Sequence, residues 1–306
     1  MATAVARERM RRVGELPLER VGRTTGLLRG TSSSVHDVWE RRELVWLLSR
    51  REIKARYSDS SLGLAWSLMR PLAQLLIYYF AIGKVLGAAR SIPDFGLFVF
   101  IGLTGWTFFT EVVSKSTASI IENHGLVKKV YLPREIFPLS GAGSALFTLA
   151  IQFVVLLVAC AAFNRFPPVA GVGYVVLGLA ILVVVGIGVG LITAAVNVYL
   201  RDVEHIVEVL LIVFFWASPI VYSFSFVRQA LTGGWLELAY LANPVTLGVM
   251  SLQRGLWVGG MNDQVAGVSA ENLLPMALVA LAGSLVFLWL AQRLFARLQG
   301  NFAQEL

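Results

Sequence analysis

The sequence predicts an all-α integral membrane protein. It has six transmembrane helices, an N-terminal interfacial amphipathic helix, and a re-entrant helical hairpin on the extracytoplasmic side between spans 5 and 6. The 306 residues are 57% hydrophobic and 15% charged, with a mean hydropathy of +0.71, whereas soluble domains carry about 45–50% apolar and about 25% charged residues. The stretch 167–200 contains no charged residue, and runs of 18 or more apolar residues are typical of membrane-spanning helices.

Six apolar stretches are the candidate spans, at about 71–89, 95–116, 136–163, 169–198, 206–226 and 273–296. The fourth has about 30 uncharged residues, which at ~1.5 Å per residue exceeds a ~30 Å hydrocarbon core. It must therefore tilt, bend or extend into the cytosol. Pro219 predicts a kink in the fifth span.

The basic residues set the orientation. All but five of the 26 Lys and Arg residues fall before Pro71 or in alternate connections. The exceptions are Lys84, Arg90, Arg165, Arg228 and Arg254. The positive-inside rule then places both termini in the cytoplasm, with 299–306 as a cytoplasmic C-terminus. The net charge of +7 is therefore explained by interaction of the basic residues with membrane phospholipid rather than with nucleic acid.

Two kinds of segment precede the first span. Residues 1–34 are basic and lack an apolar run, which predicts a disordered cytoplasmic tail. Residues 35–70 place Trp39, Trp46 and Ile53 seven apart among many charges, which predicts an amphipathic helix lying in the inner interface, with tryptophans at headgroup level. The alternative is a helix that packs outside the membrane.

The stretch 228–271 is apolar but interrupted. Asn243-Pro244 divides it into pieces that are each too short to cross a bilayer. Two half-helices that dip into the outer leaflet fit this pattern better than a full hairpin. Irregular backbone at that depth needs cover from protein or from a water-filled cavity.

Signatures of catalysis are missing from the sequence. No GxxxxGK[ST] phosphate loop and no GxSxG elbow is present. The three histidines are scattered, which predicts no metal site. Lys84, Glu111 and Glu208 lie near span ends, where snorkelling explains them better than a coupling-ion site. The chain is therefore predicted not to be an enzyme, and either to be passive or to draw energy from another subunit.

Two cytoplasmic segments could receive such energy, TASIIENHGLVKKVYLPRE and NVYLRDVEHIVE. Their candidate coupling residues are Glu122, Lys128, Arg134, Glu135, Arg201 and Asp202. The alternative is that both segments are ordinary connecting loops.

Aromatic residues cluster in the second and fifth spans. The candidates for a substrate conduit are Trp106, Phe109, Phe214, Phe215, Trp216 and Tyr222. Aromatic faces bind sugar rings without a fixed register, although aromatic residues in membrane spans also serve as core or belt residues.

Four segments together resemble a known family. The interfacial helix ends in a K-x-R-Y turn and is followed by a Leu-Gly-x-x-Trp segment and Pro71. These positions are Lys54, Arg56, Tyr57, Leu62, Gly63 and Trp66. The segments VYLPREIFPLS, RDVEHIVEVLLIVFFWASPIVYS and LANPVTLGV follow in order. Over about residues 36–300 the chain resembles the ABC-2 type permeases that export polysaccharide and teichoic acid.

The resemblance implies a transport role. It implies a homodimer paired with two copies of an ABC ATPase that binds ATP and Mg, while this chain carries no cofactor. Residues 71–298 would form the ABC-2 transmembrane domain, with the conduit at the dimer interface. The coupling segments would dock on the ATPase. The interfacial gate would consist of Lys54, Arg56, Tyr57 and Trp66. The cargo would be a polysaccharide or lipid-linked glycan of O-antigen, teichoic-acid or galactan type, leaving the cytoplasm across a bacterial plasma membrane.

Two alternatives stay open. One is a permease of similar architecture that moves drugs or simple lipids. The other is a membrane-embedded acyl- or glycosyltransferase, which would need an acid, base or nucleotide-sugar site that the sequence does not display.

Overall fold

The computed structural model describes residues 29–58, 65–130, 132–231, 234–262 and 268–306. Over these ranges the chain is built from helices and contains no strand. Residues 1–28 of the predicted tail, and Leu62 and Gly63 of the signature, lie outside the described residues.

The described residues up to Tyr78 form the helices α1 (Arg29–Glu40), α2 (Arg42–Ser58) and α3 (Ala65–Tyr78). A π-helical segment, Tyr79–Val85, continues α3. The range predicted as one interfacial helix, 35–70, is thus divided by a turn at Arg41. The turn lets α1 contact the last long helix while α2 packs on the third predicted span, which one straight helix could not do.

The middle of the chain contains the most regular spans. Helix α4 (Phe95–Glu122) is followed by the short α5 (His124–Lys129), by α6 (Ile136–Ala162) and, after a 3-10 turn at Val169–Gly171, by α7 (Val172–Tyr199). The second span extends beyond its predicted end at 116, because α4 continues as one helix to Glu122.

The remaining elements are α8 (Val203–Trp216), α9 (Phe224–Leu231), α10 (Trp235–Leu241), α11 (Pro244–Leu256), α12 (Ala270–Leu298) and α13 (Phe302–Glu305). The fifth predicted span differs from its prediction of 206–226, because α8 ends at Trp216 instead of kinking and continuing. Pro219 lacks an N–H group and disfavours helical backbone at Ser218.

Four helical segments in the described ranges are long and apolar enough to cross a membrane: Phe95–Glu122, Ile136–Ala162, Val169–Tyr199 and Glu271–Asn301. They correspond to the second, third, fourth and sixth predicted spans. With these segments the chain is a multi-pass membrane protein.

Helix α4 lies at the centre of the fold. It packs on α6 and α7, and α3 and α8 lie against it. Phe98, Val99, Leu103 and Phe108 of α4 are almost fully buried. A second apolar cluster joins the ends of α4, α7 and α12 on the side predicted to be cytoplasmic, around Ile120, Leu191 and Phe295.

Candidate functional site

Two carbonyls of the irregular segment after α8, residues 217–223, accept hydrogen bonds from side chains of α11. The Thr246 hydroxyl donates to the Ala217 carbonyl at 3.4 Å, and the Gln253 amide donates to the Pro219 carbonyl at 2.9 Å. Open backbone groups in an apolar environment cost several kcal/mol each if unpaired. The side chains of α11 therefore stabilise a break that Pro219 creates.

Helix α11 begins at the Asn-Pro pair that the sequence singled out. The Asn243 side chain caps the helix by accepting from the Val245 amide at 3.0 Å, and Pro244 occupies the first turn, as the preferences of helix N-termini require. From Val245 to Leu256 every residue of α11 is buried. This short helix is covered by protein on all sides.

Paired glycines bring α11 and α7 into close contact. A Cβ added at Gly178 of α7 would lie 2.7 Å from the Gly248 carbonyl oxygen, and one at Gly171, in the 3-10 turn that leads into α7, would clash with the Gly255 carbonyl oxygen. Rising numbers in α7 pair with falling numbers in α11, so the two helices are antiparallel. Such small-residue contacts are how membrane helices approach closely.

The predicted conduit residues divide into two groups. Trp106, Phe109 and Phe215 are buried within the chain, and the Trp106 ring centroid lies 5.6 Å from that of Phe109 and 5.7 Å from that of Phe215. Phe214 and Trp216 are exposed. Tyr222 is half-buried and its hydroxyl donates to the Trp216 carbonyl.

Helices α3 and α8 together present an exposed apolar face. Both helices lie against α4, and the Tyr78 ring of α3 stacks on Phe215 of α8 at 5.7 Å between centroids and 24° between planes. Large apolar side chains of both helices and of the π-helical segment are exposed, among them Leu76, Ile77, Phe80, Ile212, Val213 and Trp216.

A second apolar surface is a groove of about 910 Å³ between α8 and α12. Its lining includes Phe214 of α8, Val279 of α12, Phe109 of α4, Val189 of α7 and Pro244 of α11. Two of the predicted conduit residues, Phe109 and Phe214, thus line one groove.

The interfacial helix α2 is fixed to the spans by polar contacts. Arg56 donates to Glu111 of α4 and to Thr148 of α6, each at 3.1 Å. Ser49 donates to the Ser140 carbonyl at 3.0 Å. One face of α2 therefore docks on protein.

The other predicted gate residues surround this contact. The Tyr57 ring lies 6.3 Å from Phe147 of α6, and Lys54 is exposed. The side chain of Trp66 lies outside the described residues. Trp39 and Trp46, which were predicted at headgroup level, are exposed.

The predicted coupling residues also fall into two groups. Glu122, Lys128, Arg201 and Asp202 are exposed where α4, α5 and α7 end. Arg134 is half-buried with its guanidinium carbon 5.6 Å from the centre of the Phe302 ring, and Glu135 is only 3% exposed.

Sequence reasoning missed the role of Glu111. Snorkelling was the interpretation, but the structure pairs Glu111 with Arg56 in a half-buried ion pair. The pairing could have been predicted, because Glu111 is a carboxylate within a predicted span and a basic interfacial helix precedes the first span. Charged side chains inside the membrane are usually paired with one another. The hydrogen bonds of Thr246 and Gln253 could not be predicted from the sequence, because both side chains donate to backbone carbonyls, which every residue carries.

Comparison with known proteins gives several long matches. The chain is 29% identical over 272 residues to the O-antigen export system permease protein RfbA of Myxococcus xanthus, covering 89% of this chain and 98% of that one. It is 28% identical over 218 residues to the protein of the same name from Klebsiella pneumoniae (71% and 81% of the two chains). It is 27% identical over 236 residues to the polysialic acid transport protein KpsM of Escherichia coli (76% and 86%).

The chain also matches a family as a whole, in addition to these individual proteins. Residues 43–257 match the ABC-2 type transporter family, a range that runs from the second residue of α2 to the residue after α11, the helix that begins at the Asn-Pro pair. This chain belongs to the ABC-2 type transporter family.

Proposed function

We propose that the chain is the membrane-spanning subunit of an ATP-driven exporter that moves a polysaccharide or lipid-linked glycan from the cytoplasm across a bacterial plasma membrane. The observation that carries the proposal is the match over 98% of the length of a permease named for O-antigen export. A second match, to a polysialic acid transport protein, supports polysaccharide as the class of cargo.

The proposed topology has six crossings with both termini in the cytoplasm. The π-helical segment extends the 14 residues of α3 by seven, and the combined length reaches the ~20 residues of a crossing. The fifth crossing would comprise α8 and the irregular segment 217–223. The antiparallel contact of α11 with the first half of α7 supports a re-entrant α10–α11 hairpin, because that half of α7 would lie in the outer leaflet.

A second copy of the chain is the proposed partner at the face formed by α3 and α8. The exposed apolar side chains of that face include Phe214 and Trp216, and a conduit between two copies would place these rings beside the cargo. Trp106, Phe109 and Phe215 would support the wall from behind, because they are buried within one copy.

An ABC ATPase carrying ATP and Mg is the proposed source of energy. Glu122, Lys128, Arg201 and Asp202 offer exposed charges of both signs for docking. Arg56 and its partners would hold the interfacial helix in place as a gate, with Lys54 free to meet phospholipid headgroups or the cargo.

The apolar groove between α8 and α12 favours a second candidate, export of drugs or simple lipids, because its lining is almost entirely aliphatic and aromatic. The two candidates differ in what accumulates when transport stops. A glycan exporter leaves a completed glycan in the cytoplasm, whereas a drug or lipid exporter leaves the glycans unchanged.

Depletion of the chain tests the proposal. Purification of the tagged chain should recover an ATP-hydrolysing partner, and depletion should leave lipid-linked glycan on the cytoplasmic face. Normal surface glycan after depletion would reject glycan export, and recovery of the chain without any ATPase would reject the ATP-driven mechanism.

A further inference from the structure

Phe302, in the last short helix, is fully buried at the end of the molecule that carries the predicted coupling segments. Its ring lies 5.6 Å from that of Phe295 in α12 and 6.1 Å from that of Tyr199 in α7. The Arg134 guanidinium lies over the same ring at 5.6 Å. One side chain therefore contacts the α5–α6 connection, the end of α7 and the end of α12.

A hydrogen bond strengthens the contact between α7 and α12. The Tyr199 hydroxyl donates to the Leu298 carbonyl at 2.7 Å, which also satisfies a carbonyl in the last turn of α12. Ile120, Phe137 and Ala291 complete a buried apolar cluster around these groups. The ends of four helices and α13 thus share one packed core.

The exposed charges of both coupling segments lie close to this core in the sequence. Arg201 and Asp202 follow Tyr199 by two and three residues, and Lys128 precedes Arg134 within the same connection. A displacement of Arg201 and Asp202 would therefore reach the Phe302 ring through Tyr199, and a displacement of the α5–α6 connection would reach it through Arg134.

We propose that Phe302 is a positioning residue that joins both coupling segments to α12, so that they move with the sixth span as one body. The inference rests on the proposed function, because it assumes an ATPase that pushes on those segments. Closely packed interiors transmit displacement rather than absorb it, and aromatic pairs and a cation over a ring fix relative orientation.

The test uses the intact complex of the chain and its ATPase in proteoliposomes. The variants are Phe302→Ala, which removes the ring, Phe302→Leu, which fills much of the space without a π face, and Phe302→Tyr, which keeps the ring. The control is Phe163→Ala, at an exposed phenylalanine (69% exposed) that follows α6. The readouts are the amount of ATPase bound, the rate of ATP hydrolysis, and the glycan moved per ATP hydrolysed.

In Phe302→Ala and Phe302→Leu, ATPase binding and hydrolysis should persist while glycan moved per ATP falls by about fivefold or more, the lower end of typical coupling between sites. Phe302→Tyr and Phe163→Ala should retain the native ratio. An unchanged ratio in Phe302→Ala overturns the inference. It is equally rejected if neither Phe302→Ala nor Phe302→Leu gives a folded complex, since the ring is then needed only for folding. If the native chain itself binds no ATPase, the proposed function fails first.

Discussion

Arg56 of the interfacial helix and Glu111 of α4 form an ion pair at 3.1 Å in which each side chain is less than one-third exposed. The pair connects a helix that was expected to lie on the membrane surface with the central span of the fold. Thr148 of α6 accepts a second hydrogen bond from Arg56, so three elements meet at one guanidinium.

Breaking this pair should loosen the interfacial helix. Glu111→Gln keeps the shape and removes the charge, and we expect a loss of about 1–3 kcal/mol, between the values for exposed and buried pairs. The melting temperature of the purified chain should fall by several degrees. The exchange Arg56→Glu with Glu111→Arg should recover part of the loss, and a double variant no more stable than Arg56→Glu alone would contradict the pairing.

The glycine contact between α7 and α11 can be tested with a matched control in the same helix. Gly178→Ala places a Cβ 2.7 Å from the Gly248 carbonyl, whereas a Cβ at Gly173 meets nothing within 4 Å. Overpacking of this kind costs about 1–3 kcal/mol. Gly178→Ala should therefore lower the melting temperature, and Gly173→Ala should leave it unchanged or raise it. Equal effects at both positions would show that the two helices do not approach so closely.

Gln253 should stabilise the break in the fifth span. Gln253→Leu removes the donor to the Pro219 carbonyl, and a buried acceptor without a partner costs about 1–3 kcal/mol. The exposed Gln229 in α9 provides the control substitution Gln229→Leu. Limited proteolysis near residues 217–223 should accelerate only in the Gln253 variant. No change in cleavage would mean that another group holds the segment.

Substitution of a buried aromatic residue should reduce stability, whereas substitution of an exposed one should reduce export. Trp106→Ala empties a buried site and should cost about 3–5 kcal/mol of stability. Trp216→Ala changes an exposed ring, so the folded protein should accumulate normally while export slows. Melting curves and export by cells that produce each variant measure the two effects. If Trp216→Ala exports at the native rate, its ring does not contact the cargo.

The parts of the fold that follow from hydropathy could be predicted from the sequence. The four long helices begin near their predicted first residues, and all but α4, which continues to Glu122, also end near their predicted limits, because each needs only its own run of apolar residues. Pro219 was recognised as a disruption, but whether a proline kinks a helix or ends it depends on what satisfies the freed carbonyls. Here Thr246 and Gln253 do so from far along the chain, and this stabilises the end of α8.

The functional side chains were harder to place. In α4 the apolar residues occupy every face, so the sequence cannot tell a ring directed at a conduit from one packed in the core. Trp106 and Phe109 were interpreted as conduit residues and are buried. Arg134 and Glu135 were grouped with exposed coupling charges, yet one packs over Phe302 and the other is buried. Only the tertiary contacts show which of these side chains are buried in the core and which are exposed.

The most direct test of the account uses inside-out membrane vesicles that contain the chain and its co-purified ATPase. Lipid-linked glycan added outside these vesicles faces the cytoplasmic side of the protein. We expect ATP to drive the glycan into the vesicle, where added glycosidase cannot reach it, and we expect no such protection in vesicles without the chain. Glycan that stays fully accessible to glycosidase despite active ATP hydrolysis would contradict the assignment of this chain as the glycan path.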